Sequence, residues 1–110
     1  MKPLAKKKGV PTKNNKQPLK GEELAKFKKQ LKGGWKVIRG HHLEKEYKFK
    51  DFLTALGFVN RVGRIAEKMN HHPDVFLAWG KVKMVTFDHQ TDGLIESDFV
   101  LAAKADAEFK

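Results

Sequence analysis

The chain contains no cysteine, which excludes disulfides and thiolate metal sites and is compatible with a reducing compartment. No apolar run reaches the roughly 18 residues that a membrane-spanning helix requires. The N-terminus is basic, but the apolar segment of a secretory signal does not follow it. We therefore expect a cytoplasmic protein that does not enter a membrane.

Acidic residues are missing before Glu22, and this absence divides the chain by charge. Residues 1–32 hold 11 Lys and 2 Glu, whereas residues 33–110 hold 12 Lys or Arg and 11 Asp or Glu. Most of the net charge of +10 therefore lies in the N-terminal segment, which argues against nucleic-acid binding by the rest of the chain. Residues 1–20 are rich in Lys, Pro and Asn, so we predict a flexible basic arm there and one folded domain over residues 21–110. The arm is either a solubilising tail or a contact for acidic partners.

Apolar residues of the domain recur with helical spacing in some segments and alternate as in strands in others. Leu24, Phe27 and Leu31 follow the helical period, and Leu43 and Tyr47 belong to an alternating run. The pattern predicts, in order, a helix over 21–31, a hairpin over 35–49, a helix from Asp51 to about Asn70, a hairpin over 74–87 and a helix over 98–109. The order α-β-β-α-β-β-α indicates an α+β fold, in which a four-stranded antiparallel sheet carries three helices on one face.

Polar residues gather at the end of the long predicted helix, in the stretch "EKMNHHPDVF". Glu67 and His71 are four residues apart, so both point to the same side if the helix continues that far. His72 precedes the second hairpin and His89 follows it. Because the two ends of an antiparallel hairpin meet, we expect His71, His72 and His89 to lie close together.

Three chemistries fit this cluster. Neutral imidazole exchanges protons near neutral pH, and Glu67 would hold or activate one ring, so general acid–base catalysis is one. Three His and one Glu also match zinc ligands, although the H-E-x-x-H pattern is absent. Unrelated surface histidines are the third possibility.

We predict that the pair His41 and His42 is solvated and structural, and that Asp98 is an N-terminal helix acid outside the site.

The spacing of these residues resembles that of the pterin-4a-carbinolamine dehydratase family, from about Glu22 to the last helix. The matching residues are Glu67, His71, His72, Pro73, Trp79, His89 and Asp98. The resemblance implies a hydro-lyase that dehydrates 4a-hydroxytetrahydropterin to quinonoid dihydropterin, without a metal or an organic cofactor. This reaction recycles the pterin cofactor of aromatic amino acid hydroxylases such as phenylalanine hydroxylase. The family also implies homodimers or homotetramers and, as an alternative function, a protein-binding scaffold or transcriptional coactivator.

The resemblance also implies roles for individual residues. It makes His71, His72, His89 and Glu67 the catalytic group, and it predicts that pterin contacts come from two segments. These segments comprise His71, His72, Pro73, Asp88, His89, Gln90 and Thr91. Two residues depart from the family pattern. Asp88 replaces the usual Thr, and its carboxylate would either raise the basicity of His89 or hold the His89 ring. Ile95 replaces a capping Ser or Thr, so the helix cap is lost or moves to Ser97.

Overall fold

The computed structural model describes residues 3–7 and 17–109. Three α-helices and four strands follow one another in the predicted order. The helices are α1 (Gly21–Lys29), α2 (Phe52–Met69) and α3 (Glu96–Glu108), and the strands are β1 (Lys36–Ile38), β2 (His42–Lys48), β3 (Asp74–Ala78) and β4 (Lys81–Thr86). The last helix begins two residues earlier than the sequence pattern predicts.

The four strands form one antiparallel sheet in the order β1-β2-β4-β3. Leu43 on β2 pairs with Thr86 at the end of β4, and Asp74 at the start of β3 pairs with Val85. The chain reverses between β3 and β4 at Trp79 and Gly80, because Ala78 pairs with Lys81. The predicted α+β architecture, with its helices on one face of the sheet, is confirmed.

Helix α2 has a defined start and a defined end. The Asp51 carboxylate accepts a hydrogen bond from the Thr54 N–H at 2.8 Å, which caps the N-terminus. Asn70 adopts the left-handed conformation, with φ 55° and ψ 41°, and ends the helix. The chain therefore turns sharply one residue before His71.

The core lies between the sheet and the helices, where helix α3 is its most buried element. The inner face of the sheet contributes Leu43, Tyr47, Val82 and Met84, all fully or almost fully buried. Helix α2 adds Phe58 and Val62, and α3 adds Phe99, Val100, Leu101, Ala102 and Ala105. Because α3 is surrounded by core on several sides, the side chains of its first turn are fixed rigidly beside the end of β4.

The arm predicted over residues 1–20 is described in part. Residues Leu4–Lys6 form a 3-10 turn, and Leu4 is 3% exposed. Lys7 pairs with Glu96 at 3.0 Å, and the Leu19 N–H donates to the Leu94 carbonyl at 2.7 Å. These parts of the segment contact the domain, whereas residues 8–16 lie outside the described residues. The flexibility of the arm as a whole stays a prediction.

Among the helices of the described ranges, none combines the length and the apolar character needed to cross a membrane.

Candidate active site

A pocket of about 270 Å³ lies where the second hairpin meets the end of α2. Its walls come from two segments, one that joins α2 to β3 and one that follows β4. The lining residues are Asn70, His71, His72, Pro73, Asp74, Phe87, Asp88, His89 and Gln90. The hairpin thus brings His71, His72 and His89 to one pocket, as its register predicts.

The most constrained histidine of the pocket is His71, which is 8% exposed. Its backbone N–H donates to the Ala66 carbonyl at 3.1 Å, so the end of α2 fixes its backbone. Its Nε2 lies 2.5 Å from Oδ1 of Asp98, which is fully buried on the first turn of α3. A carboxylate only accepts hydrogen bonds, so His71 Nε2 carries the proton and Nδ1 is the nitrogen left for exchange with a ligand.

Asp98 is held by further donors besides the imidazole. The Thr86 hydroxyl donates to Oδ1 at 2.6 Å, and the Ile95 N–H donates to Oδ2 at 3.0 Å. The bond from the Ile95 N–H is one of the two hydrogen bonds of a capping box, and it forms although Ile95 has no capping side chain. The positive end of the helix dipole also favours a carboxylate at this position. The prediction that Asp98 is an N-terminal helix acid is confirmed. Asp98 does not line the pocket, but its carboxylate bonds to His71, which does.

The surroundings of His71 act on its pKa in opposite directions. Burial lowers the pKa of His71, because it disfavours the charged ring. The hydrogen bond from His71 to Asp98, the charge of Asp98 and the charge of Asp88 together outweigh burial, so the pKa is raised above its ordinary value. A larger fraction of His71 is therefore protonated near neutral pH, which suits a proton donor.

Glu67 holds the neighbouring ring and not that of His71. Its Oε2 lies 2.5 Å from Nε2 of His72, and both side chains are more than half exposed. The prediction that Glu67 and His71 point to the same side required the helix to continue to His71, and the helix ends at Met69. The left-handed Asn70 ends the helix between them, and this turn rotates His71 toward α3 and leaves His72 within reach of Glu67.

The segment after β4 forms a closed loop. Asp88 and Gly93 pair through their backbones, and the Asp88 carboxylate accepts from the Thr91 N–H at 2.8 Å. Asp88 is 6% exposed, and its charge acts on His71, whereas we predicted an effect on His89. His89 and Gln90 are exposed at the pocket mouth, and Thr91 stabilises the loop through its backbone.

The histidine pair of the first hairpin is more involved than the sequence indicates. His41 is half-buried, its Nε2 lies 2.8 Å from Asp92 Oδ1, and its ring contacts Phe87 of the pocket wall. Both residues of the pair are half-buried and so less solvated than predicted, and the contacts of His41 agree with the predicted structural role. No local sequence signal links positions 41 and 92, because only the sheet brings the first hairpin beside the loop after β4.

Two further observations bear on where a ligand binds. A larger cavity, of about 730 Å³, lies beside the N-terminal turn and is lined by apolar side chains and by Lys6, Lys7, Lys68, Lys104 and Glu108. Its lining has no imidazole, so the smaller pocket is the candidate site for the predicted acid–base chemistry. Within residues 3–7 and 17–109, no three His, Asp or Glu side chains converge as metal ligands would.

Comparison with known proteins agrees with this geometry. A family model described as pterin 4 alpha carbinolamine dehydratase matches residues 17–108. A Rubrobacter xylanophilus protein that carries this family's name is 52% identical over 106 residues, covering 96% of this chain and 98% of the other. A second such relative, from Alkaliphilus metalliredigens, is 52% identical over 103 residues, covering 94% of this chain and 93% of the other.

A solved structure shares the fold. The crystal structure of a transcriptional coactivator/pterin dehydratase from Brucella melitensis superimposes with a TM-score of 0.80 at 33% identity, covering 86% of this chain and 100% of that chain. The matched family region contains the whole pocket, the buried Asp98 that holds His71 and the exposed Glu67 that holds His72. The chain belongs to the pterin-4a-carbinolamine dehydratase family.

Proposed function

We propose that this protein is a hydro-lyase that dehydrates 4a-hydroxytetrahydropterin to quinonoid dihydropterin by histidine acid–base catalysis. The observation that carries the proposal is the buried pair of His71 and Asp98 at a pocket shared with His72 and His89. Loss of water from the carbinolamine needs one proton on the 4a-hydroxyl and the removal of another from a ring nitrogen. A pocket with several imidazoles can supply both transfers.

His71 is the proton donor in this proposal. Its pKa is raised, so the imidazolium is available near neutral pH, and Asp98 stabilises that charge. The proton moves from Nδ1 of His71 to the 4a-hydroxyl, the C–O bond breaks, and water leaves. His89 accepts the proton from the ring nitrogen, which completes the double bond of the quinonoid product. Solvent then returns His71 and His89 to their starting protonation states.

The remaining residues of the pocket orient the substrate. His72 is exposed at the mouth and its ring is fixed by Glu67, so it offers a directed polar contact to the pterin. Pro73, Asp88 and Gln90 complete the wall, with Thr91 supporting the loop. Glu67 thus supports catalysis through His72 in this proposal.

The proposed reaction links the protein functionally to an oxygenase that uses a reduced pterin. Dehydration of the carbinolamine is the first step in returning a spent pterin cofactor to use, so the functional link is to an aromatic amino acid hydroxylase.

We also infer a homodimer or homotetramer, because β1 and β3 are the edges of the described sheet and Phe76 on β3 is 59% exposed. Light scattering that finds only monomers at micromolar concentration contradicts this assembly.

The direct test measures the disappearance of the carbinolamine with and without the protein, corrected for spontaneous dehydration. We expect a clear acceleration by the wild type. His71→Ala or His89→Ala should lower the turnover number by roughly 10²- to 10⁴-fold, the range for general acid–base groups. Glu46→Gln, on the outer face of the sheet, is the control and should change little. Loss of activity with a chelator, restored by zinc, would replace the acid–base mechanism by a metal one.

A scaffold function is the second candidate. The observation in its favour is that the Brucella melitensis protein is described as a transcriptional coactivator as well as a pterin dehydratase. A scaffold does not need the buried pair of His71 and Asp98. If the wild type gives no dehydration above background, the scaffold function is the better account.

A further inference from the structure

The three imidazoles of the pocket are held in different ways. Asp98 fixes His71 and Glu67 fixes His72, each through a hydrogen bond of 2.5 Å to Nε2. His89 is exposed, and in the described part of the chain no side-chain hydrogen bond holds its ring. The His89 ring contacts that of Phe87, with the two ring centroids 4.3 Å apart and an interplanar angle of 37°.

Phe87 is in turn fixed from the first hairpin. It is half-buried directly after β4, and its ring lies 4.6 Å from that of His41 and 6.3 Å from that of His42. His41 and His42 also contact each other, with their Nδ1 atoms 3.1 Å apart. His41 in the turn between β1 and β2 and His42 at the start of β2 thus both contact the same phenyl ring.

A second contact joins this turn to the loop that carries His89. Nε2 of His41 lies 2.8 Å from Oδ1 of Asp92, which has a left-handed φ of 55°. Asp92 lies after His89 and Phe87 lies before it, so His41 contacts the loop on both sides of His89. The pairing of Asp88 with Gly93 closes the same loop.

This arrangement suits a residue that must accept a proton. A carboxylate partner occupies one nitrogen of an imidazole, as Asp98 does on His71. A phenyl ring in tilted contact with an imidazole, as Phe87 is with His89, restricts the orientation of the imidazole and leaves both of its nitrogens available. Misplacement of a catalytic group by about 1 Å can cost on the order of 10²-fold in rate, so this orientation matters.

We propose that Phe87 is the positioning residue of His89, and that the pair of His41 and Asp92 holds Phe87 and the loop in place. The proposal rests on the proposed dehydratase function for its kinetic consequence, but the placement of the His89 ring is a property of the protein without substrate. His41, Phe87 and Asp92 act through His89 and need not touch the pterin.

The first test removes or keeps the phenyl ring. Phe87→Leu should lower the turnover number about tenfold while the Michaelis constant changes less than about twofold, because the proton transfer and not binding is impaired. Phe87→Tyr retains the ring and should restore most of the turnover. An unchanged turnover number for Phe87→Leu, or an effect on the Michaelis constant alone, would overturn the proposal.

The second test addresses the link through Asp92. Asp92→Gly removes the carboxylate and tolerates the positive φ, whereas Asp92→Asn keeps an acceptor for His41. We expect a loss of about threefold to tenfold in turnover for the glycine variant and near-normal turnover for the asparagine variant. Equal turnover in both variants and the wild type would remove His41 and Asp92 from the mechanism.

The third test needs no activity and therefore separates this proposal from the proposed function. The χ1 rotamer of His89 is determined by NMR from three-bond couplings in the free wild-type protein, in Phe87→Leu and in Glu46→Gln as the control. We expect one dominant rotamer in the wild type and in Glu46→Gln, and averaging over several rotamers in Phe87→Leu. If the wild type lacks dehydratase activity but the averaging occurs, the function fails and the positioning stands. A single, unchanged His89 rotamer in Phe87→Leu would refute the positioning.

Discussion

Helix α3 carries two aspartates with largely buried side chains, Asp98 and Asp106, whose hydrogen-bond donors differ. Asp106 accepts hydrogen bonds from Trp35 Nε1 at 3.0 Å, Lys45 Nζ at 2.8 Å and the Tyr47 hydroxyl at 2.6 Å. Asp98, two turns earlier, accepts from Thr86, the Ile95 N–H and His71. Both carboxylates are well satisfied, so their hydrogen-bond counts do not distinguish them.

The difference lies in whether the partners titrate near neutral pH. Burial, and then the hydrogen bond to Asp106 and its charge, raise the pKa of Tyr47 far above its usual range, so this hydroxyl stays protonated. Lys45 and Trp35 likewise offer only donors to Asp106. His71 changes charge in that range and lines a pocket. Under the proposed function, one helix supplies a structural carboxylate, Asp106, and a functional one, Asp98, and the two differ in the donors that bond to them.

The largest expected effect follows from removing the charge of Asp98. Asp98→Asn keeps the shape of the side chain but no longer stabilises the His71 imidazolium, so the turnover number should fall on the order of 10²-fold or more. Carbinolamine loss, corrected for the spontaneous reaction, measures it. A turnover number within threefold of the wild type would show that Asp98 is as structural as Asp106.

The matched change at Asp106 should act on stability instead. Asp106→Asn leaves the nearly buried Lys45 without its charged partner, so the free energy of unfolding should fall by about 3 kcal/mol. Urea denaturation followed by circular dichroism measures the loss. Where the variant is folded, its turnover number should equal that of the wild type, and a large kinetic defect would contradict the distinction.

A smaller effect is expected in the pH dependence of stability. The folded-state pKa of His71 is raised, so protonation stabilises the fold fully below the unfolded-state pKa of about 6.5. This contribution is lost as the pH rises through the folded-state pKa. The wild type should therefore lose more stability on going to alkaline pH than His71→Gln, which keeps a donor but does not titrate. Parallel denaturation profiles of the two proteins would contradict the raised pKa.

The smallest effect on catalysis is expected from the N-terminal segment, which contacts the other side of α3. Deleting residues 1–16 removes Leu4 and the pair of Lys7 with Glu96, but no residue of the pocket. Turnover should stay within about twofold, while burial of one leucine predicts a stability loss of about 1.5–3 kcal/mol. Leu4→Ala should reproduce most of that loss. A tenfold loss of turnover on deletion would show that the segment acts on the site.

Most of the fold was predictable because local patterns determine it. The helical period of α2 and the turn at Gly80 were visible in the sequence, and the register of the second hairpin predicted that His71, His72 and His89 would meet. The sequence indicated that Glu67 would hold one imidazole but not that this is His72, and it did not indicate the partner of His71. The left-handed turn at Asn70 depends on one residue's conformation, and the pairing of His71 with Asp98 joins positions 27 apart.

The contact of the first hairpin with the loop after β4 was unpredictable for a similar reason. It depends on β2 lying beside β4, which fixes Leu43 opposite Thr86 and so sets His41 near Phe87. Strand order beyond a hairpin is decided by packing of the whole domain and not by local periodicity. Whether Asp98 or Asp106 contacts a histidine likewise depends on the tertiary fold, because the donors of both carboxylates come from distant parts of the chain.

The central claim is that Asp98 acts on the reaction through His71, and a double-mutant cycle tests it most directly. The catalysed rate of carbinolamine loss is measured for the wild type, His71→Gln, Asp98→Asn and the double variant. We predict a wild-type rate well above the spontaneous one, and a double variant that loses no more than the more impaired single variant. A wild-type rate equal to the spontaneous one, or losses that multiply in the double variant, would contradict the account.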